Sequence, residues 1–211
     1  MSCRIVVLIS GRGSNLEALI DACKKGDISG NISAVISSRK QAPGLLLAKN
    51  AGIPHLVLAA NDYNSRTTYD QALTKLIDPY SPDLIALAGF MRILSDEFVH
   101  QYTGRLINIH PSRLPKHRGL NTHRNVLLAG DSVHGASVHF VTPKLDGGPV
   151  ILQSTLPVQA HHTEKSLATD ILKQEHILYP KVVSWFCKDR LHFKDEQVFF
   201  DNQPLIAPMQ L

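Results

Sequence analysis

Short apolar runs alternate along the chain with segments in which apolar residues recur every three or four positions. The first run, CRIVVLI at residues 3–9, is apolar almost throughout, as in a strand buried on both faces of a parallel sheet. Leu16, Leu19 and Ile20 then follow at helical spacing. This order repeats, so the pattern predicts a doubly wound, mostly parallel, Rossmann-like α/β sheet.

The pattern changes toward the carboxyl end. Residues 134–141, HGASVHFV, alternate between polar and apolar, and residues 150–157 form a further strand after a Gly-Gly loop. Two neighbouring strands joined this way predict an antiparallel C-terminal extension of the sheet. A long helix over 163–188, capped by Thr163, should follow. The other predicted strands cover residues 32–37, 55–58, 83–88 and 105–109, the other helices 43–51, 63–77, 95–100 and 122–129, and a terminal hairpin 191–193 and 197–200.

Composition places the chain among ordinary globular proteins. It has 211 residues, 44% hydrophobic and 19% charged, with neither an internal repeat nor a linker, so we expect one domain over 1–211. The net charge of +4 suits small anionic substrates. Without a dense block of Lys and Arg we expect no nucleic-acid partner.

Sorting signals and cysteines add little. The apolar runs are too short to span a bilayer, and the first residues lack a signal-peptide pattern, so we expect no membrane association. The 3 cysteines form no CxxC motif, which favours the reducing cytoplasm.

A glycine-rich turn follows the first predicted strand. Residues 11–15, GRGSN, lead into the first helix, and Ser14 with Glu17 fits a capping box that starts the helix at Ser14. Free amide groups at such a helix start bind anions. The turn lacks the Walker lysine, and Leu16 stands where a dinucleotide fingerprint needs glycine, so a single phosphate is favoured. A plain tight turn with a good cap is the alternative.

A second polar cluster lies at the end of the predicted strand 105–109. Asn108 and His110 are two residues apart, so their side chains leave the strand on the same side. Pro111 should end strand pairing directly after the histidine. Open α/β sheets bind ligands at this edge. A polar strand end with a solvated histidine is the alternative interpretation.

Asp146 lies in a third polar segment, the glycine-rich loop LDGGP. A carboxylate beside His110 would favour the charged imidazolium. An amide, an imidazolium and a carboxylate together stabilise a developing oxyanion and move a proton. None of the three is a good nucleophile, which favours direct transfer to an external amine. The fold allows Asp146 to meet His110, although the sequence alone does not show it.

Several segments carry a resemblance to a known family. IVVLISGRGSNL, LAGFMRIL, INIHPSRLPKHRGL, HGASVHFV, LDGGPVILQ and QEHILYP are similar, in order and spacing, to the blocks of the phosphoribosylglycinamide formyltransferases. The likeness covers nearly the whole chain. It implies the formyltransferase fold, with a ribonucleotide-binding half at about 1–100 and a folate-binding, catalytic half at about 101–211. The family transfers a formyl group from 10-formyltetrahydrofolate to the amine of glycinamide ribonucleotide, which are then the expected small-molecule partners.

The same resemblance implies roles for individual residues. Asn108 and His110 would hold the oxyanion of the tetrahedral intermediate. Asp146 would keep His110 charged, order a water and relay the amine proton toward the folate nitrogen. Glu175 would bind the ribose hydroxyls. The phosphate would be bound by Gly13, Ser14 and Asn15, and the folate by Arg66, Met91, Arg92, Ile93, Leu94, Val99, Leu106, Asn108, Thr142 and Asp146.

From the residues alone, the last assignments have plainer interpretations. Arg66 and Arg92 would be surface arginines, Glu175 would lie on a solvated helix face, and the apolar folate residues would be core. No metal is expected: His134 and His139 lie an odd number of positions apart on one predicted strand and should face opposite sides. The chain departs from many family members at His117-Arg118 and at Asn121, in a loop expected to flank the substrates.

Three rival functions stay open at this stage. Formyltetrahydrofolate hydrolases share the asparagine, histidine and aspartate but usually carry an N-terminal regulatory domain, whereas the first strand here begins at residue 3. Methionyl-tRNA formyltransferases add a C-terminal tRNA-binding domain. A binding module without catalysis is the third, because fold does not fix function. We expect a monomer or weak homodimer.

Overall fold

The computed structural model describes residues 2–211 as alternating strands and helices. The strands are β1 (Cys3–Ile9), β2 (Gly30–Ser37), β3 (His55–Val57), β4 (Leu84–Leu87), β5 (Leu106–His110), β6 (Val133–His134), β7 (Ser137–Phe140), β8 (Val150–Gln153), β9 (Leu156–Pro157), β10 (Leu191–Lys194), β11 (Gln197–Phe200), β12 (Gln203–Pro204) and β13 (Met209–Gln210). The helices are α1 (Ser14–Lys25), α2 (Gly44–Asn50), α3 (Arg66–Ile77), α4 (Asp96–Gln101), α5 (Thr122–Ala129) and α6 (Glu164–Cys187), with 3-10 turns at Ala60–Asp62 and Asp78–Tyr80.

The central sheet has eight strands in the order β13-β8-β7-β5-β4-β1-β2-β3. Five neighbouring strands of this sheet, β5, β4, β1, β2 and β3, all run parallel to one another. β7 pairs antiparallel with both β5 and β8, so β7 runs against its neighbours. The predicted doubly wound, mostly parallel fold with an antiparallel extension is confirmed. β13 adds to the edge parallel to β8, which the sequence pattern did not predict.

Helices cover both faces of this sheet because successive strand residues point to opposite sides. In β1, Ile5 and Val7 belong to the core beneath α1 and α6. Val6 and Leu8 belong to the core beneath α3 and α4. All four are fully buried, as expected for a central strand of a parallel sheet. None of the helices in the described part of the chain is both long and apolar enough to cross a membrane.

The start of α1 differs from its prediction. The helix does begin at Ser14, but the capping box of Ser14 and Glu17 is wrong: the cap is Gly13, in a left-handed conformation with φ 82°, and no side chain caps the helix. A Cβ at Gly13 would lie 2.7 Å from the Cα of Gly44, so this position requires glycine. Ser14 is therefore already inside the helix, where its hydroxyl cannot act as the cap.

Two predicted strands are each divided. Residues 134–141 form β6 and β7, and residues 150–157 form β8 and β9. The division occurs where Gly135 crosses Ser154, because a Cβ at Gly135 would lie 2.0 Å from the Ser154 carbonyl oxygen. The Ser154 side chain accepts from the Ala136 amide at 3.0 Å and replaces the ladder bond. Consequently β6 and β9 pair in a separate two-stranded sheet.

Helix starts depend on small polar residues. α3 begins at Arg66 rather than at residue 63, because the Ser65 side chain accepts from the Thr68 amide. α6 has the predicted Thr163 cap, with Ser166 completing a capping box. The terminal hairpin of β10 and β11 is confirmed.

Candidate active site

The strand end and the glycine-rich loop meet. β5 ends at His110, immediately before Pro111, as predicted. The His110 Nδ1 lies 3.5 Å from the Asp146 Oδ2, and the two side chains are only 7% and 9% exposed. The structure thus places His110 and Asp146 side by side, a contact that the sequence permitted but did not show. Burial from water strengthens the electrostatic interaction between them.

The other nitrogen of His110 contacts the active-site loop. Its Nε2 donates to the His117 carbonyl oxygen at 3.0 Å. A neutral ring would then turn its Nδ1 lone pair toward Asp146, whereas an imidazolium donates from both nitrogens. The two nitrogens of His110 therefore face the His117 carbonyl and the Asp146 carboxylate.

Asp146 makes a second contact, with the Gly119 amide, and its own backbone is strained. Its Oδ2 accepts from the Gly119 amide at 2.8 Å, which joins the 113–119 loop to the 142–148 loop. Its φ of 44° is left-handed, a conformation that a non-glycine residue adopts only when its surroundings hold it. A Cβ at Gly148 would lie 1.9 Å from the Phe140 carbonyl oxygen, so glycine is required where this loop re-enters the sheet.

Asn108 is oriented by a buried histidine. The β5–β7 register sets Asn108 opposite His139. The His139 Nδ1 donates to the Phe140 carbonyl oxygen at 2.8 Å, which leaves Nε2 to accept from the Asn108 Nδ2 at 3.2 Å. Burial lowers the pKa of His139, so the ring is neutral and its 3.7 Å approach to Asp146 is not an ion pair. The second N–H of the Asn108 amide remains available to a ligand.

The start of α1 and the middle of α6 form a second polar site. The Ser14 and Asn15 amides lie in the first helical turn, where no intrahelical carbonyl can accept from them. The Asn15 Nδ2 donates to the Glu175 Oε2 at 2.6 Å. Burial raises the pKa of Glu175 to about 6. The buried Asn15 Oδ1 has no hydrogen-bond partner within residues 2–211, so it can accept from a ligand.

A groove extends from the reactive residues along α4. It is lined by apolar side chains and by the loop that carries Asp146. Arg92 lies at its edge, with its guanidinium 5.1 Å from the centre of the Tyr69 ring. The predicted folate residues that line it are Arg92, Ile93, Leu94, Val99, Asn108, Thr142 and Asp146.

The other three predicted folate residues lie elsewhere. Leu106 is 1% exposed and packs in the core behind the groove wall. Met91 is 59% exposed and lines the neighbouring cleft. Arg66 is the exposed first residue of α3.

Residue His117, one of the positions at which the chain departs from many family members, helps to anchor its loop. His117 has a φ of 52°, and its Nε2 donates to the Asp131 Oδ2 at 2.7 Å. The Lys116 Nζ donates to the other oxygen of Asp131 at 2.9 Å. Asp131, just beyond α5, thus holds the loop whose carbonyl contacts His110. The Leu114–Pro115 bond in this loop is cis.

Two further histidines pair away from these sites. The His123 Nδ1 lies 3.1 Å from the His134 Nε2. Burial lowers the pKa of both rings, that of His134 to about 4. The premise that His134 and His139 share one strand is wrong, because β6 and β7 belong to different sheets. Across residues 2–211, the structure has no group of three or more His, Cys, Asp or Glu side chains suited to a metal ion.

The fold and these paired sites are those of an α/β enzyme whose candidate ligand sites lie at the carboxyl edge of the sheet. Residues 3–183 match the formyl transferase family, and the chain belongs to that family. Phosphoribosylglycinamide formyltransferase from Escherichia coli is 53% identical over 201 residues, with 95% of each chain covered. The trifunctional purine biosynthetic protein adenosine-3 from Homo sapiens is 42% identical over 177 residues, which are 84% of this chain and 18% of that protein.

Solved structures agree with the sequence relatives. Phosphoribosylglycinamide formyltransferase from Coxiella burnetii superimposes with a TM-score of 0.96, at 48% identity and full coverage of both chains. A formyltetrahydrofolate deformylase from Pseudomonas syringae superimposes with a TM-score of 0.88 at 22% identity, covering 95% of this chain and 66% of that one. The second likeness shows the shared fold alone.

Proposed function

We propose that this protein transfers the formyl group of 10-formyltetrahydrofolate to the amine of glycinamide ribonucleotide. The products are formylglycinamide ribonucleotide and tetrahydrofolate, within purine biosynthesis. The observation that carries the proposal is the buried contact of His110 with Asp146, close to the groove that Asn108 and Asp146 line. The start of α1, at Gly13 to Asn15, adds a helix N-terminus on the same central sheet that suits an anion.

The residues present fit the two substrates. Backbone amides at a helix start suit the ribonucleotide phosphate. The Glu175 carboxylate and the unpaired Asn15 oxygen suit ribose hydroxyls, which need acceptors. Ile93, Leu94 and Val99 offer the apolar wall that a planar ring system requires.

Asn108 and His110 supply the stabilisation of charge in this account. The free N–H of Asn108 would donate to the formyl oxygen as the amine attacks and negative charge develops there, and the charged ring of His110 would stabilise the same charge electrostatically. The Asn108 donor needs no reorganisation, because His139 orients it, and the His117 carbonyl and Asp146 hold the His110 ring in place. Donors fixed in advance favour the transition state over the ground state.

In the proposed reaction, Asp146 stabilises the charge on His110 and takes part in proton transfer. Its carboxylate would keep His110 charged and, through an ordered water, pass the amine proton toward the departing folate nitrogen. Its contact with the Gly119 amide holds the carboxylate in one orientation, which supports this role. None of Asn108, His110 and Asp146 is a nucleophile suited to a formyl-enzyme intermediate, so the amine attacks the formyl group directly.

An absorbance assay tests the function. A 10-formyl folate is mixed with the protein, with and without glycinamide ribonucleotide, and deformylation is followed in the ultraviolet. We expect deformylation that depends on the ribonucleotide. Equal deformylation without it would identify a hydrolase and contradict the proposal. Folate binding without turnover in either mixture would identify a binding module.

The protein's organisation is part of the same proposal. We infer one domain over residues 1–211, acting in the cytoplasm as a monomer or weak homodimer, without nucleic acid, membrane or metal. The three free cysteines suit a reducing compartment. Both halves of the site share one central sheet, which supports a single domain.

A further inference from the structure

Asp70, on α3, is a buried carboxylate that the proposed reaction does not use. The residue is 2% exposed. Burial raises the pKa of Asp70, because removal from water disfavours the charged form. Its Oδ1 has no hydrogen-bond partner within residues 2–211. A buried carboxylate with one unsatisfied oxygen is destabilising by itself, so the bond that its other oxygen makes needs a reason beyond stability.

That bond fixes the start of α4. The Asp70 Oδ2 accepts from the Ser95 amide at 2.5 Å. Ser95 is the N-cap of α4, and its side chain accepts from the Phe98 amide at 3.3 Å. Ser95 is buried, so its amide needs an acceptor from the protein. Asp70 therefore determines where the chain turns into α4.

This turn closes the segment that forms one wall of the groove. We call residues 92–95, which connect the region after β4 to α4, the groove loop. Three apolar side chains of the groove come from this loop and from the start of α4: Ile93, Leu94 and Val99. A shift of Ser95 would move these side chains together, because they flank it on both sides along the chain.

α3 also contacts the other end of the groove loop. The Arg92 guanidinium lies over the ring of Tyr69, the residue before Asp70, at 5.1 Å from the ring centre. The Tyr69 ring is fully buried and packs edge-on against Tyr63, with 5.4 Å between the ring centres. Two consecutive residues of one helix thus support both ends of the loop. Asp70 does so from behind the groove wall and is not among the side chains that line the groove.

We infer that Asp70 is a positioning residue for the folate, which holds the groove loop in the shape that receives the ring system. This inference rests on the proposed function. The effect of Asp70 should be confined to one substrate. The candidate ribonucleotide site is formed by α1 and α6, and the reactive residues lie on β5 and in the 142–148 loop. Asp70 should therefore affect the KM of the folate and neither the KM of the ribonucleotide nor kcat.

Two substitutions separate the hydrogen bond of Asp70 from its charge. Asp70→Asn keeps an oxygen that can accept from the Ser95 amide, so the KM of the folate should rise only about two- to fivefold. Asp70→Leu has the same branched shape but no acceptor, and it leaves the Ser95 amide unsatisfied. The KM of the folate should then rise about 10- to 100-fold. kcat and the KM of the ribonucleotide should stay within about twofold of the parent in both variants.

The test is steady-state kinetics with each substrate varied in turn, and Asp78→Leu is the matched control. Asp78 is the C-cap of α3, and its Oδ1 accepts from the Tyr102 hydroxyl at 2.7 Å. Tyr102 is the C-cap of α4. The control therefore removes another carboxylate bond between α3 and α4, at the opposite end of α4 from the groove loop. It should leave the KM of the folate within about twofold of the parent.

The outcomes distinguish positioning of the folate from a general loosening of the fold. An unchanged KM of the folate in Asp70→Leu would overturn the inference. So would an equal rise in the KM of the ribonucleotide, or the same rise in Asp78→Leu. If Asp70→Leu does not fold, Asp70→Asn decides, and an unchanged KM of the folate in that variant would overturn the inference.

A binding measurement keeps this inference separate from the proposed function. If the parent transfers no formyl group, the affinity of an unreactive 10-formyl folate is measured by calorimetry for the parent and for Asp70→Asn. Weaker binding to the variant would support the positioning role even without transfer. Equal affinities, or no binding to the parent, would refute it.

Discussion

Asn108 uses one N–H for a protein partner and keeps the other for a ligand, whereas both ring nitrogens of His110 face protein groups. His110 donates from Nε2 to the His117 carbonyl, and Asn108 donates from one N–H to His139. These contacts fix the two side chains before any substrate binds. The cost of ordering them is met during folding rather than during catalysis, which is the advantage of preorganised donors.

Glu175 gives the first prediction, a pH dependence. Burial raises its pKa to about 6, so the carboxylate that we propose to accept from ribose hydroxyls is present above that pH and is lost as the pH falls through it. kcat/KM for the ribonucleotide should therefore decline below about pH 6. Glu175→Gln should lower kcat/KM roughly 10- to 100-fold at neutral pH, because bonds to a charged acceptor are lost.

The variant also supplies the control for that measurement. The substrate phosphate ionises near the same pH, and this contribution persists in Glu175→Gln. The difference between the two pH profiles, measured from about pH 5 to about pH 8, isolates the carboxylate. Superimposable profiles would show that Glu175 does not contact the ribonucleotide.

At the scale of elements, the active-site loop depends on the end of α5. Asp131 holds both Lys116 and His117, and so fixes the carbonyl that accepts from His110. The Asp131 pKa is lowered by its bond to His117, which shows that the ionised form is favoured. Rigid elements beneath a loop confer the precision that a site on the loop would otherwise lack.

Asp131→Ala gives the second prediction. Loosening the loop should weaken the orientation of His110 by about 1 kcal/mol, which is roughly a fivefold loss of kcat with little change in either KM. Steady-state kinetics with both substrates measures it. Asp170→Ala is the matched control, because Asp170 also pairs with a lysine and a histidine, Lys173 and His162, but on the surface of α6. Equal losses in the two variants would contradict the role of Asp131.

The sequence predicted elements well where one physical signal dominated. The apolar run of β1 and the Thr163 cap are local features, and the structure confirms them. The prediction of one strand over 134–141 failed because the close crossing of Gly135 and Ser154 is a tertiary contact that alternation does not encode.

In the candidate site, too, local features could be predicted from the sequence and tertiary contacts could not. Asn108 and His110 were identifiable because they share a strand end and lie two residues apart. His139 was missed as the partner of Asn108, 31 positions earlier, because strand register depends on the whole sheet. Asp131 was missed because its partner His117 is reached through a left-handed loop with no periodic pattern.

At the scale of the whole molecule, α6 supports the reactive edge of the sheet. The Tyr179 hydroxyl is fully buried and donates to the Leu87 carbonyl oxygen at 2.9 Å, with the Ile107 carbonyl oxygen at 3.3 Å. Leu87 pairs with Asn108 across β4 and β5. One side chain thus connects the helix that carries Glu175 to the strand that carries Asn108 and His110.

Tyr179→Phe gives the third prediction. Removing the hydroxyl leaves buried carbonyl groups without a partner, so the free energy of unfolding should fall by about 1 to 3 kcal/mol. Urea denaturation with an unchanged m-value measures it. Tyr80→Phe, at a partly exposed tyrosine, should change stability by less than about 0.5 kcal/mol. A Tyr179→Phe protein as stable as the parent would refute the connection.

The central claim is that Asp146 acts on the chemical step between two separately bound substrates. The most direct measurement is the single-turnover rate of formyl transfer in Asp146→Asn, together with calorimetric dissociation constants for each substrate. The account predicts a rate lower by about 10²- to 10⁴-fold, since a proton-transfer group and the partner of His110 are both lost, with each dissociation constant within about threefold of the parent. Asp195→Asn, on the exposed terminal hairpin, should change neither quantity. An unchanged transfer rate, or a loss explained entirely by weaker binding, would contradict it.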